Sequence, residues 1–227
     1  MRRTLATALI ALAPALAACG SSSSSKSSST PASATAAQTS TTAASNGCRQ
    51  VSQPAPRNPA KEHRPKQPLD PSRHWTLTVK TSCGDFTIAL DLKSAPKASA
   101  SMVSLARAGF FKNTTFHRIV PGFVIQGGDP TGTGQGGPGY STVDKPPKDA
   151  SYTQGVVAMA KTQTEAPGTA GSQFFVVTGP NAQLPPDYAV LGKVTKGLDV
   201  VERIGQLGDQ SEQPTQPVVI SGVTVGS

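Results

Sequence analysis

Apolar Trp75, Leu77 and Val79 alternate with polar Thr76, Thr78 and Lys80, and Phe86, Ile88 and Leu90 alternate again after the turn-forming Ser82-Cys83-Gly84-Asp85. A period of two is that of a half-buried strand, so the two runs predict a β-hairpin. Next comes Pro96, suited to a first helical turn, then apolar Met102, Val103, Leu105 and Ala106 at helical spacing, and a stop at Gly109. Further strands are predicted over residues 123–126, 155–160, 173–178, 188–194 and 217–225. A short helix is predicted over 198–204, with Val200, Val201 and Ile204 on one face. Many short strands, turns rich in Gly and Pro, and two helices describe an antiparallel barrel or sandwich with helices over its open ends. Periodicity leaves barrel and sandwich both open.

Nothing in the first quarter of the chain has this character. Met1-Arg2-Arg3 and the mainly apolar run 5–18 have the charged head and short hydrophobic middle of an export signal, too short to span a bilayer. The run ends Leu16-Ala17-Ala18-Cys19, which resembles the bacterial lipobox. That resemblance implies removal of residues 1–18 as a lipoprotein signal peptide and a lipidated Cys19, hence an exported protein anchored outside the cytoplasm on the bacterial cell membrane. From Gly20 to Gly47 the chain is almost all Ser, Thr, Ala and Gln, without the apolar content that offsets the entropy of folding. Residues 19–47 are therefore expected to form a disordered tether with a reach on the order of 30 Å. Residues 48–74 make a basic Pro-rich segment, and the folded domain is expected over 75–227.

The net charge of +8 raises nucleic acid as a partner. The basic residues Arg49, Arg57, Lys61, Arg64, Lys66 and Arg73 argue against it, since they lie in a Pro-rich stretch with no interleaved aromatic residues and no nucleic-acid motif. A solvated segment beside an anionic membrane surface accounts for them instead. With Cys19 taken by lipid, Cys48 and Cys83 remain. Export permits a disulfide between them, and two free thiols are the alternative. His63 and His74 stand in no zinc-like spacing with these cysteines, so no metal site is expected. The string Gly132-Thr133-Gly134-Gln135-Gly136-Gly137 satisfies the GxGxxG pattern, but Pro138, Pro146 and Pro147 deny it the helix a dinucleotide site requires. It reads as a tight-turned loop, and no cofactor is expected.

Two longer strings carry more information. The run 116–129, Phe116-His117-Arg118-Ile119-Val120-Pro121-Gly122-Phe123-Val124-Ile125-Gln126-Gly127-Gly128-Asp129, closely resembles the cyclophilin signature, and Gly171-Ser172-Gln173-Phe174-Phe175 resembles that family's second signature. The likeness runs from about residue 75 to 227. It implies a mainly β fold, a closed eight-stranded antiparallel β-barrel capped by two α-helices, and peptidyl-prolyl cis/trans isomerase activity on proline-containing segments of exported or unfolded proteins, by a chain expected to act as a monomer.

The reaction is rotation about an X-Pro amide, whose barrier of roughly 18–20 kcal/mol comes from delocalisation of the nitrogen lone pair. A permanently charged donor aimed at the prolyl nitrogen holds that lone pair out of conjugation. The resemblance assigns this role to Arg118, with Gln126 bonding the substrate backbone. It implies a proline pocket of Phe123, Val124, Phe175 and Leu184, with Ala160, Lys161, Gln173 and Tyr188 completing the substrate contacts. Without the two signatures, Phe123 and Phe175 would read as core aromatics, Arg118 as a solvated strand residue and Gln126 as a strand-end polar group. His117 is read as structural, because the reaction transfers no proton. Lys161 replaces a frequent Asn of the family, Tyr188 a frequent His, and Gln183 stands near the Trp of many members. A non-catalytic proline-peptide binder and a surface adhesion module are the competing readings.

Overall fold

The computed structural model describes residues 46–58 and 61–227. The leader, Cys19 and most of the tether lie outside the described residues. Ten strands and two helices follow in the order β1 (Thr76–Thr81), β2 (Gly84–Leu90), α1 (Pro96–Arg107), β3 (Thr114–Val120), β4 (Val124–Asp129), β5 (Thr142–Val143), β6 (Val156–Met159), β7 (Thr169–Ala170), β8 (Phe174–Val177), β9 (Val190–Lys196), α2 (Leu198–Gly205) and β10 (Val219–Gly226). Eight of the strands close into a barrel in the order β1-β10-β3-β4-β8-β6-β9-β2, with every adjacent pair antiparallel. The two short strands β5 and β7 pair separately. The choice between barrel and sandwich is thus decided for the closed barrel, which removes every exposed edge among its eight strands.

The barrel is filled by the inward residues of every strand, among them Leu77, Val79, Phe86, Ile88, Phe116, Ile119, Ile125, Val157, Met159, Phe174, Val176 and Leu191. Phe116 and Phe174 meet edge to face at 6.0 Å, as do Phe111 and Phe174 at 6.3 Å. Helix α1 packs against β10 through Met102, Val103 and Leu105, and α2 packs against β2 and β4 through Val200, Val201 and Ile204. The first turn of α1 contains no acidic residue, and its exposed amides are served from afar, Ala98 donating to Asp144 Oδ2 at 2.6 Å.

Of the predicted strands, one is displaced: 188–194 becomes Val190–Lys196, which leaves Tyr188 in the preceding loop. Strand β3 has no counterpart in the pattern reading. Its register explains why: Phe116 lies opposite Gly127 but Arg118 lies opposite Gln126, so β3 carries one extra residue at His117. This bulge reverses the alternation, placing both Phe116 and Ile119 inside the barrel while Arg118 faces out.

The basic Pro-rich segment is strapped to the barrel. A Cys48–Cys83 disulfide fixes its start, where the Arg49 amide donates to Ser82 O at 2.8 Å. Farther along, the Arg57 amide donates to Pro130 O at 3.0 Å and the Glu62 amide to Pro138 O at 2.8 Å. At its end Trp75 donates its indole N–H to Asp70 O at 2.9 Å, with the Arg73 guanidinium over the ring at 4.9 Å. The basic side chains of Arg49, Arg57, Lys61, Arg64, Lys66 and Arg73 nonetheless stay exposed.

Candidate active site

Strands β6 and β8 are apolar on both faces, and β4 is so over Val124 and Ile125. Ile125, Val157, Met159, Phe174 and Val176 point into the barrel, and the residues between them point out, so a second apolar cluster of Val124, Val156, Ala158, Phe175, Val177 and Tyr152 forms on the outer face. Partly buried Phe123, Ala160, Leu184 and Tyr188 pack around it. The family resemblance pointed to Phe123, Val124, Ala160, Phe175, Leu184 and Tyr188, and all six meet here.

Directly opposed residues of an antiparallel pair share a face. The register therefore lays out one continuous row across the outer surface, Arg118 opposite Gln126, Gln126 opposite Phe175, Phe175 opposite Ala158, and Ala158 opposite Val190. A cationic donor, an amide and an aromatic ring thus stand side by side, next to an apolar patch.

The polar members are held by named partners. Gln126 Nε2 donates to Gln173 Oε1 at 3.1 Å, and Gln173 Nε2 donates to Gly134 O and Gly136 O, each at 2.9 Å. Those carbonyls belong to the GxGxxG loop, which Asp129 organises: its carboxylate accepts from the amides of Thr131 at 2.7 Å, Gly134 at 2.6 Å and Gly136 at 3.1 Å. Burial pushes the Asp129 carboxyl upward, but the donors of Thr131, Gly136 and Gly134 outweigh it and hold its pKa below the usual value. A Cβ on Gly136 would stand 2.0 Å from Asp129 Oδ1, which is why the loop carries glycine there. The string that mimics a dinucleotide fingerprint is thus a carboxylate-centred loop that positions Gln173. A cleft of about 250 Å³ lies between this loop and Gln126, Gln173, Ala160 and Lys161.

Arg118 leaves the sheet at the edge of the row and donates from Nε to Glu212 Oε2 at 2.6 Å, with about a third of its side chain exposed. Lys161 folds back, its Nζ donating to Thr162 O and Glu165 O at 3.2 Å each and lying 5.5 Å from the Tyr188 ring. Gln183 is exposed with a left-handed backbone, φ 51°. His117, at the bulge, is held below its ordinary pKa of 6.5, since burial disfavours the imidazolium more than the nearby Asp129 carboxylate favours it.

Two residues escape the sequence reading. Tyr152 is buried between Phe175 and Tyr188, at 6.3 and 5.9 Å between ring centroids, donates its hydroxyl to Tyr188 O at 2.7 Å and accepts from the Tyr188 amide at 3.0 Å. Burial raises its phenol pKa, so it remains a donor. A lone aromatic in a polar stretch is the one linear trace it leaves. Glu212 leaves none, being one acid in a polar loop 94 residues from Arg118.

Comparison with known proteins agrees with this geometry. The family model described as cyclophilin type peptidyl-prolyl cis-trans isomerase/CLD matches residues 76–225. The chain is 37% identical over 149 residues to a peptidyl-prolyl cis-trans isomerase of Arabidopsis thaliana, covering 63% of this chain and 89% of that one. It is 38% identical over 169 residues to peptidyl-prolyl cis-trans isomerase A of Mycobacterium tuberculosis, covering 66% of this chain and 91% of that protein. Among solved structures it resembles a Cryptosporidium parvum cyclophilin type peptidyl-prolyl cis-trans isomerase, with a TM-score of 0.63, 32% identity, and coverage of 68% of this chain and 99% of that one. The same parasite enzyme crystallised in the presence of the dipeptide Ala-Pro gives a TM-score of 0.62 at 33% identity, over 67% of this chain and 99% of that one. The barrel, the two signature runs and a match across the whole of the barrel agree, and the chain belongs to the cyclophilin-type peptidyl-prolyl cis-trans isomerases, enzymes that act on proline-containing peptides.

Proposed function

We propose that this isomerase works outside the cytoplasm, lipid-anchored through Cys19 to the bacterial cell membrane, on X-Pro bonds of exported or unfolded proteins, and that its outer sheet face is the catalytic surface. The observation that carries the catalytic assignment is the row Arg118, Gln126, Phe175 beside the outer apolar cluster. In this reading the proline ring rests on Phe123, Val124, Phe175 and Leu184, with Tyr188 at the rim. Gln126 and the backbone at Ala160 and Lys161 hold the peptide, and Gln173 sets the Gln126 amide. With Nε of Arg118 engaged by Glu212, its two Nη groups are the donors left for the prolyl nitrogen. No proton is transferred, so a side chain charged at every physiological pH is the suitable electrophile. That the related parasite enzyme was crystallised in the presence of Ala-Pro supports a proline-containing peptide as the kind of ligand.

Accelerating a process of tens of seconds into milliseconds takes a factor of about 10⁴, or roughly 5–6 kcal/mol. One charged donor in a partly water-excluded site contributes about half of that, and substrate positioning the remainder. The disulfide and the Leu16-Ala17-Ala18-Cys19 sequence support the extracytoplasmic setting. No described helix is long and apolar enough to cross a membrane. Labelling cells with a fatty-acid analogue tests the anchor: wild-type chain should take up label and fractionate with membranes, and Cys19→Ser should do neither. Label persisting in Cys19→Ser, or an intact Met1 in mature protein, would overturn it. The domain is proposed to act as a monomer, to be checked by sedimentation.

A further inference from the structure

We infer that Glu212 is a positioning residue for the isomerisation, holding the Arg118 guanidinium in its working orientation; this rests on the proposed role of Arg118. The loop that follows α2 is built onto β3 beside that residue. Gly208 and Pro214 bridge its base, and a Cβ on Gly208 would come 2.3 Å from Ile119 O, so only glycine lets the loop approach so closely. Inside the loop, Asp209 Oδ1 accepts from the amides of Ser211 at 2.8 Å and Gln213 at 2.9 Å, and Asp209 O accepts from the Glu212 amide at 3.1 Å. At its tip the Ile119 amide donates to Glu212 O at 2.9 Å, one residue beyond Arg118.

These backbone bonds hold the loop without help from the Glu212 side chain. That side chain has one hydrogen-bond partner among the described residues, Arg118 Nε. Its backbone is left-handed, φ 62°, a conformation that disfavours glutamate and would suit glycine. An ion pair whose side chains are 32% and 47% exposed adds little to stability. A strained residue whose carboxylate serves so little for stability is explained by what it does to its partner. An unpaired arginine samples many rotamers, whereas Nε engaged at 2.6 Å fixes the guanidinium plane and directs both Nη groups, which make no hydrogen bond among the described residues, toward a ligand.

The test is Glu212→Gly, which removes the carboxylate and relaxes the backbone, with Glu212→Gln keeping a neutral acceptor. Turnover and KM are measured separately, by NMR exchange with a proline peptide at several concentrations. The expected result for Glu212→Gly is a kcat lower by about three- to five-fold with KM and melting temperature held, and a smaller loss for Glu212→Gln. The Arg118 Nε–H resonance, slow to exchange with water in the wild type, should exchange rapidly in Glu212→Gly. In an Arg118→Ala background Glu212→Gly should have no further effect. Wild-type kcat in Glu212→Gly, a loss appearing in KM, or an equal loss in the Arg118→Ala background would overturn the inference while leaving a slow Arg118→Ala enzyme to support the donor role. Wild-type turnover in Arg118→Ala would overturn both.

Discussion

Truncating Arg118 to alanine removes the donor proposed for the reacting amide while leaving the barrel interior untouched. The side chain faces outward opposite Gln126, and its one hydrogen-bond partner among the described residues is Glu212. Losing that half-exposed ion pair costs at most about 1 kcal/mol, because water screens both partners. For a domain of this size that lowers Tm by no more than about 4 °C. Catalysis should suffer far more. Removing one preorganised, charge-stabilising donor typically costs about 10²–10³ in rate, or roughly 2.7–4 kcal/mol. That is about half or somewhat more of the roughly 5–6 kcal/mol the enzyme must supply for a 10⁴-fold acceleration. The expected outcome is a fall of about 10²–10³ in kcat/KM with the fold and most of the stability retained. A protease-coupled assay with an Xaa-Pro tetrapeptide reads kcat/KM, and a thermal melt reads stability. Arg118→Lys keeps the charge but loses the planar fork, so it should recover only part of the loss. A folded Arg118→Ala enzyme within tenfold of wild type would refute the mechanism, and one that has unfolded would refute the claim that the barrel interior is untouched.

Cyclosporin should bind weakly, with Kd above about 1 μM, because exposed Gln183 supplies neither the indole donor nor the apolar area of a tryptophan; nanomolar binding by calorimetry would contradict this. Cys48→Ser should destabilise the domain by about 4 kcal/mol and lower Tm by about 10 °C, as expected for opening a loop with a separation of 35 residues; an unchanged melt in calorimetry would show that the strap needs no clamp. Because burial depresses the His117 pKa, the unfolded chain takes up a proton below the ordinary value of 6.5 that the folded chain refuses. Stability should therefore be fully present above that pH and decline as pH falls below it, and urea melts of wild type and His117→Gln at neutral and mildly acidic pH should show the decline reduced in the variant.

Strands β1 and β2 were legible because each keeps one face in the core. Thr76–Thr81 alternates cleanly between buried Leu77 and Val79 and less buried neighbours, and Phe86 and Ile88 do the same in β2. The helices were legible for the corresponding reason at their own period, through Met102, Val103 and Leu105 in one and Val200, Val201 and Ile204 in the other. Strand β3 was not, because a bulge at His117 breaks the period that marks a strand. The apolar part of the candidate site was readable only through its two signature strings, since Phe123, Val124 and Phe175 look in isolation like any core residue. Its fastenings were beyond linear reading. Glu212 on Arg118, the loop carbonyls on Gln173 and Tyr152 on Tyr188 all join positions 36 to 94 residues apart.

The failure of alternation itself carries functional information. A barrel strand that only closes a core needs one apolar face, yet Val156–Met159 and Phe174–Val177 are buried at every position. Burial at successive residues divides them between two clusters, with Val157, Met159, Phe174 and Val176 inside and Val156, Ala158, Phe175 and Val177 outside. Such strands sacrifice a solvated face, and the outer apolar surface must be covered by loops or by a ligand. Here Tyr152, Leu184 and Tyr188 cover it in part, and they leave Phe123 only half-buried. The exposed remainder adjoins the one place where a bulge turns an arginine outward. Continuous apolar runs in an otherwise alternating barrel, next to a strand whose period breaks at a charged residue, thus mark the face proposed to meet substrate. The same physics that makes those strands poor readers of the fold makes them good readers of the site.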